Sequence, residues 1–194
     1  MENQTLNYDL VLLYSGGADS RLMLEFARYS NKNPYCLLIN YNQLHSEELD
    51  FAKNQLSKLN VPYQEVSISG LQINSGLTGN GEKGRFGDES EVSSWHVPGR
   101  NTMFASVALS VAENLGIDEV WLGADHSDLV NGFLDCTQEF VNEVDTLYGV
   151  AASFPIRFRA PLLGIDKDII KTLLKSFGVN EGEVFSGYGD LENA

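Results

Sequence analysis

Residues 9–24 read DLVLLYSGGADSRLML, and the order of their parts decides the fold. Residues 10–14 are an apolar run, the pattern of a buried strand. From residue 19 the pattern is helical, with Leu22, Leu24, Phe26 and Ala27 on or near one face. Between strand and helix stand Ser15, Gly16, Gly17, Ala18, Asp19 and Ser20. A strand that turns straight into a helix aims the unbonded N–H groups of the first helical turn at the space beyond the strand. Glycine lets the backbone come close there and take positive φ. Ser15 and Ser20 add hydroxyl donors, and Asp19 can either cap the helix or orient magnesium. The loop has the chemistry of a phosphate cradle, although a tight turn with ordinary capping would also use a Gly-Gly pair. It is not a Walker A loop, which needs a lysine near its end, and it has no Gly-x-Gly-x-x-Gly fingerprint.

The remainder of the chain repeats the alternation. Residues 34–40 (PYCLLIN) form a second strand. Residues 45–60 form a helix with Leu49, Ala52, Leu56 and Leu59 in register and Ser46 as candidate cap. Residues 62–69 form a third strand. Residues 70–94, rich in Gly, Asn and Ser, break the pattern and read as an active-site or lid loop carrying Lys83 and Arg85. A helix over 101–115 with Asn101 as cap, a strand over 118–124, a helix over 133–147 and an extended stretch over 154–163 follow. The last helix covers 166–178, capped by Asp166 and stopped by Gly178. Such alternation specifies an α/β protein: a doubly wound, mostly parallel sheet with helices on both faces. No repeat or linker divides residues 1–194, so one domain is expected, with 180–194 as a tail.

Composition narrows the chemistry. The chain carries 27 acidic residues against 13 Lys and Arg, a net charge of −14. Nucleic-acid binding relies on basic side chains that replace phosphate counterions, so RNA and DNA are not expected as partners. No run is long enough to span a membrane, and the first residues have no signal-peptide pattern; a cytoplasmic protein is expected. The two cysteines, Cys36 and Cys136, have no metal-ligand spacing. Cys36 reads as a buried small hydrophobe.

Ser-Gly-Gly-x-Asp-Ser directly after a first strand resembles the PP-loop of the N-type ATP pyrophosphatases, which have the adenine nucleotide alpha hydrolase-like fold. Four further stretches narrow the resemblance: NYNQLHSEEL (40–49), VPGRN (97–101), GFLDCTQEF (132–140) and APLLGIDKDII (160–170). In that order they look like the 7-cyano-7-deazaguanine synthases, the QueC family of queuosine biosynthesis, over about residues 10–188. The resemblance implies adenylation of the carboxylate of 7-carboxy-7-deazaguanine by ATP with magnesium. Ammonia then displaces AMP to give the amide, and a second ATP carries the amide to the nitrile.

The same resemblance assigns roles. Ser15, Gly16, Gly17, Ala18, Asp19 and Ser20 hold pyrophosphate. Arg100 lies near phosphate or adenylate, and Lys167 neutralises phosphate oxygens; with Asp19 these two are the expected catalytic residues. Tyr41, Asn42 and Gln43 recognise adenine or ribose. Asp128 binds the ring N–H groups of the substrate or magnesium, with helix capping as the structural alternative, and Asp125 stands beside it at the end of the fourth strand. Asp135 and Cys136 match the family's Asp-Cys pair, with Cys136 packed against the substrate pocket rather than reactive. His45 is more readily a structural residue than a base. A homodimer is also implied.

Two departures from the pattern stand out. Thr137 replaces the arginine that usually follows the Asp-Cys pair. The family's C-terminal zinc module lacks its first cysteine, since Gly187 stands there, so zinc is not expected and other packing must close this end. The alternatives are a diverted enzyme passing the same adenylate to another amine, such as a protein amine, or stopping at the amide. A nucleotide-binding subunit without catalysis is the third reading.

Overall fold

The computed structural model describes residues 7–43, 46–70 and 97–185. Five strands form a wholly parallel sheet: β1 (Leu10–Leu13), β2 (Pro34–Asn40), β3 (Tyr63–Ser67), β4 (Glu119–Trp121) and β5 (Arg157–Arg159). Their order is β3-β2-β1-β4-β5. Leu10 pairs with Pro34 and Leu13 with Leu37 on one side of β1, while Val11 pairs with Val120 on the other. The chain thus winds outward through β2 and β3, returns to the middle, and winds the other way. The switch falls between β1 and β4, the place where a doubly wound sheet opens a crevice at its carboxyl edge.

Strand alternation builds two cores. Leu10, Leu12, Cys36, Leu38 and Trp121 face one side, against α1 (Ala18–Tyr29), α2 (Ser46–Lys58) and α6 (Lys167–Ser176). Val11, Leu13, Leu37, Ile39, Val120 and Leu122 face the other, against α3 (Arg100–Leu115) and α5 (Gln138–Ala151). Leu10, Val11 and Leu12 are completely buried. Full burial of such side chains is worth about 1.5–3 kcal/mol each, which is why the continuous apolar run sits at the centre of the sheet. The expected architecture, with helices on both faces, is the one observed.

Several expected boundaries shift for local reasons. The expected helix over 133–147 is broken: Leu134–Cys136 is a 3-10 turn, and Thr137 caps a new helix, α5, by accepting from the N–H of Phe140 at 3.1 Å. A short helix that the pattern concealed, α4 (His126–Val130), follows β4 and is held by a capping box between Asp125 and Asp128. Its five residues are too few to show a period. The extended stretch over 154–163 pairs only at Arg157–Arg159. Gly99, with φ of 67°, takes the cap position of α3 in place of Asn101. Asp166 stands at the start of α6 without a capping bond from its side chain, while Gly178 ends that helix as expected, with φ of 77°. His45, Lys83, Arg85 and Gly187, and nearly all of the 70–94 loop, lie outside the described residues.

Candidate active site

The loop after β1 runs into the first turn of α1 at the carboxyl edge of the sheet. Gly16 has φ of +89°, and a Cβ there would meet Ala52 of α2 at 3.2 Å. Both the conformation and the packing therefore demand glycine. Gly17 is the cap residue of α1, with φ of −72° and no side-chain cap bond. Asp19 is consequently not the cap but the second residue of the helix.

The loop is held by its own hydroxyls. The N–H groups of Ser15 and Gly16 donate to Ser20 Oγ at 3.3 and 3.1 Å, and that hydroxyl donates to the Gly17 carbonyl at 3.0 Å. Ser20, expected as a free donor, is thus committed to shaping the loop. Ser15 Oγ accepts from the Gly17 N–H at 3.3 Å. The unbonded amides a phosphate could use are those of the first turn of α1, where no side chain caps the helix and the dipole favours an anion.

Lys167, the first residue of α6, reaches back to this turn. Its Nζ lies 2.6 Å from Asp19 Oδ2 and also pairs with Asp125, whose carboxylate is completely buried. Burial pushes the Asp19 carboxyl up to about 6, with Lys167 opposing the rise. For Asp125 burial acts in the same direction, yet the bonds from Lys167 and Ser127 outweigh it and hold the carboxyl below its usual value.

A cavity of about 340 Å³ opens beside the loop. Leu13, Leu37, Ile39 and Leu122 form its apolar floor at the ends of the central strands. Ser15, Asp19 and Ser20 line one part of it; Tyr41, Phe104 and Phe133 supply aromatic surface. The rings of Tyr41 and Phe104 are 5.5 Å apart. Arg100, Asp128, Gln43 and Glu48 add the polar groups. Burial raises the Tyr41 phenol, and the Arg100 guanidinium beside it offsets part of that rise. Burial likewise raises the Asp128 carboxyl. One of its oxygens accepts from the Asp125 N–H at 3.2 Å, so Asp128 both caps α4 and lines the cavity.

The expected residues thus divide. Ser15, Asp19, Ser20, Tyr41, Gln43, Arg100 and Asp128 converge on the cavity. Asn42 is exposed, with φ of 65° and its N–H bonded to Asn40 Oδ1 at 3.1 Å. Asp135 and Cys136 lie behind Asn101 and anchor the start of α3. Asn101 N–H donates to Asp135 Oδ2 at 3.2 Å, and Asn101 Nδ2 approaches the Asp135 carbonyl and Cys136 Sγ at 3.1 and 3.3 Å. Burial pushes the Cys136 thiol up to about 12, which keeps it protonated. Cys36 and Cys136 belong to opposite faces of the sheet.

Two residues that lie within the quoted stretches, but were given no role in the site, line the cavity. Glu48 is 7% exposed and lines the cavity from the first turn of α2. Its signal was burial on the inner face of a helix, which a pair of adjacent glutamates conceals. Asn101 is buried although it lies in the first turn of α3, and in the sequence it reads as a cap.

Asp19 Oδ1 is buried with no hydrogen-bond partner among the described residues. Magnesium takes one or two carboxylates, keeps several waters and uses substrate phosphates for the rest. The unbonded Asp19 Oδ1 beside the uncapped first turn of α1 fits that ion. Among the described residues no group of three or more His, Cys, Asp and Glu side chains could hold a metal by protein ligands alone.

Residues 9–194 match the family described as queuosine biosynthesis protein QueC. The chain belongs to the QueC family. A QueC relative, the 7-cyano-7-deazaguanine synthase of Alteromonas mediterranea, is 31% identical, over 97% of this chain and 88% of its own length. The 7-cyano-7-deazaguanine synthase 2 of Colwellia psychrerythraea is 34% identical, over 95% and 86%. Solved structures share the fold at lower identity. The tRNA thiolase NcsA of Methanococcus maripaludis superposes with a TM-score of 0.57 at 14% identity, over 90% of this chain and 58% of that one. The NH3-dependent NAD synthetase of Campylobacter jejuni gives 0.54 at 19%, over 92% and 68%. The QueC chain therefore has the adenine nucleotide alpha hydrolase-like fold of the PP-loop enzymes. No helix among its described residues is long and apolar enough to cross a membrane.

Proposed function

We propose that the protein is an ATP-dependent carbon–nitrogen ligase that converts 7-carboxy-7-deazaguanine and ammonia, through the amide, to 7-cyano-7-deazaguanine, releasing AMP and pyrophosphate. The observation that carries this reading is the convergence of the loop after β1, Arg100 and Asp128 on one cavity, within a chain of the QueC family.

A carboxylate is a poor electrophile, and attachment of AMP to its oxygen supplies a leaving group. The site must bring two anions together and stabilise the charge that moves between them. The first turn of α1 receives the pyrophosphate end of ATP through its backbone amides. Lys167 supplies a cation at that turn, and Asp19 would hold magnesium there. The ion supplies charge neutralisation at the phosphate oxygens. Arg100, a fixed guanidinium fork, suits the carboxylate or the α-phosphate. Tyr41 and Phe104 offer faces to a planar base, and the Asp128 carboxyl suits ring N–H donors. The apolar floor limits water, which would otherwise hydrolyse the activated acid.

The test is to incubate the protein with 7-carboxy-7-deazaguanine, ATP, magnesium and ammonium, following AMP and product mass. Nitrile with AMP is the expected result. Amide alone would mean that the reaction stops early. ATP binding without AMP would overturn the ligase reading for ammonia.

A further inference from the structure

Asp125 stands at the end of β4 as the cap of α4, and its carboxylate is 0% exposed. Its two oxygens serve different partners. Oδ1 accepts from the N–H and the hydroxyl of Ser127, at 2.6 and 2.7 Å. Oδ2 pairs with the Lys167 ammonium. A helix cap needs only one oxygen and does not require burial. Burying a whole carboxylate is costly unless its charge is paired, so the second oxygen has a purpose of its own.

The backbone sets up this pair. His126 N–H donates to the Ile165 carbonyl at 3.2 Å, which pins the start of α4 beside the approach to α6. Lys167 has a long, rotatable stem and is 41% exposed. Asp19, at the first turn of α1, and Asp125 both pair with its ammonium, and the two carboxylates lie close enough to interact with each other. The cation is thus held by carboxylates from two separate elements.

We propose that Asp125 is a positioning residue that fixes the Lys167 ammonium beside the first turn of α1, where the phosphates of ATP bind in the function proposed above, on which this inference rests. A lysine ammonium is a point charge with no preorganised fork. Its stabilisation of developing charge depends on being held in place before the reaction. Asp125 touches no substrate; it acts through Lys167, and its charge also bears on neighbouring Asp19.

Asp125→Asn separates this role from capping. The amide oxygen still accepts from Ser127, but the side chain no longer carries charge toward Lys167. Turnover in AMP formation should fall roughly tenfold, as expected for loss of one charge-assisted contact, with the KM for ATP changing less than about twofold. In a Lys167→Met background the same substitution should add no further loss. Ser127→Ala, which removes the hydroxyl bond to Asp125 Oδ1 but keeps the capping N–H and leaves Lys167 alone, should keep wild-type turnover. Acylation by an amine-selective reagent, read by peptide mass in the ligand-free protein, should be faster at Lys167 in Asp125→Asn than in wild type, with Lys171 as internal reference. If Asp125→Asn does not fold, Asp125→Ser keeps a capping hydroxyl and carries the same expectations. Unchanged turnover and labelling, an additive loss in Lys167→Met, or an equal loss in Ser127→Ala would each overturn the inference. A wild-type protein that forms no AMP would instead overturn the function itself, since the labelling reads the Asp125–Lys167 contact without ATP.

Discussion

The backbone N–H of Phe185 donates to the carbonyl of Gly16 at 2.9 Å, tying the C-terminal end of the described chain to the loop after β1. The Phe185 ring lies 5.7 Å from that of Phe51, and Gln55 of α2 bonds the Glu183 carbonyl. This segment is the packing that closes over the loop. Phe185→Pro removes the N–H donor, and a net hydrogen bond of about 1 kcal/mol predicts roughly fivefold weaker ATP binding. Phe185→Ala keeps the N–H and should lower stability by about 1 kcal/mol through the lost ring contact. Calorimetric titration with ATP and thermal melts distinguish the two.

The two loop glycines should respond differently. Gly16→Ala forces a side chain into positive φ and against Ala52, at a cost of about 1–3 kcal/mol. Gly17 has ordinary φ, and its nearest obstacle is Ser15 Oγ at 3.4 Å. Gly17→Ala should therefore melt near the wild-type temperature yet form AMP more slowly, because the added methyl intrudes where phosphate approaches. Equal activity in Gly17→Ala would remove the phosphate from that position.

Asp19 should make both stability and activity depend on pH. Its carboxyl is raised from 3.8 to about 6, first by burial and then by Asp125, with Lys167 opposing. The folded state thus favours the protonated form. That contribution is complete below the unfolded value and is lost as pH rises through about 6. Melting temperatures of Asp19→Asn, which lacks this titration, should gain on wild type across that window and then stay parallel. In the proposed reaction Asp19 acts as the ionised carboxylate, so AMP formation should rise through the same range. Substitution by Ala should abolish it without unfolding the chain.

Thr137, at the position where the family resemblance implies an arginine, has a structural use. Its hydroxyl accepts from the Phe140 N–H at 3.1 Å and donates to the Leu134 carbonyl at 2.9 Å. Thr137→Ala and Thr137→Arg should each cost about 1 kcal/mol in denaturant unfolding, the typical loss for an N-cap. No loss in either variant would remove capping as the reason for threonine.

Asn101 ties the start of α3 to the Leu134–Cys136 turn. Replacing this buried amide by Ala removes its side-chain links to the Asp135 carbonyl and Cys136 Sγ, while the backbone N–H still bonds Asp135 Oδ2. A stability loss of about 1–3 kcal/mol is expected, with a higher KM for the acid as Arg100 shifts. Circular dichroism melts and steady-state kinetics measure these separately.

Much of the fold was legible in apolar runs and helical spacing. Residues 10–14 and 34–40 read as buried strands because burial on both faces leaves little room for polar side chains. The helix α4 was not legible, because a capping box of two aspartates resembles a pair of candidate ligands. The break at Thr137 was hidden because capping residues also occur inside polar helix faces.

The sequence by itself determined the parallel α/β architecture, the glycine loop between β1 and α1, and the family, because these rest on local pattern and on the order of short motifs. Only the tertiary structure decided which motif residues face the cavity. Asp135 and Cys136 match a motif, yet they hold α3 from behind, whereas Glu48 matches none of the assigned positions and lines the cavity. Lys167 meets Asp19 and Asp125 only because the sheet winds in two directions from β1, bringing the starts of α1 and α6 to the same edge. Charge pairing across such distances in sequence is set by topology, and no local pattern encodes it.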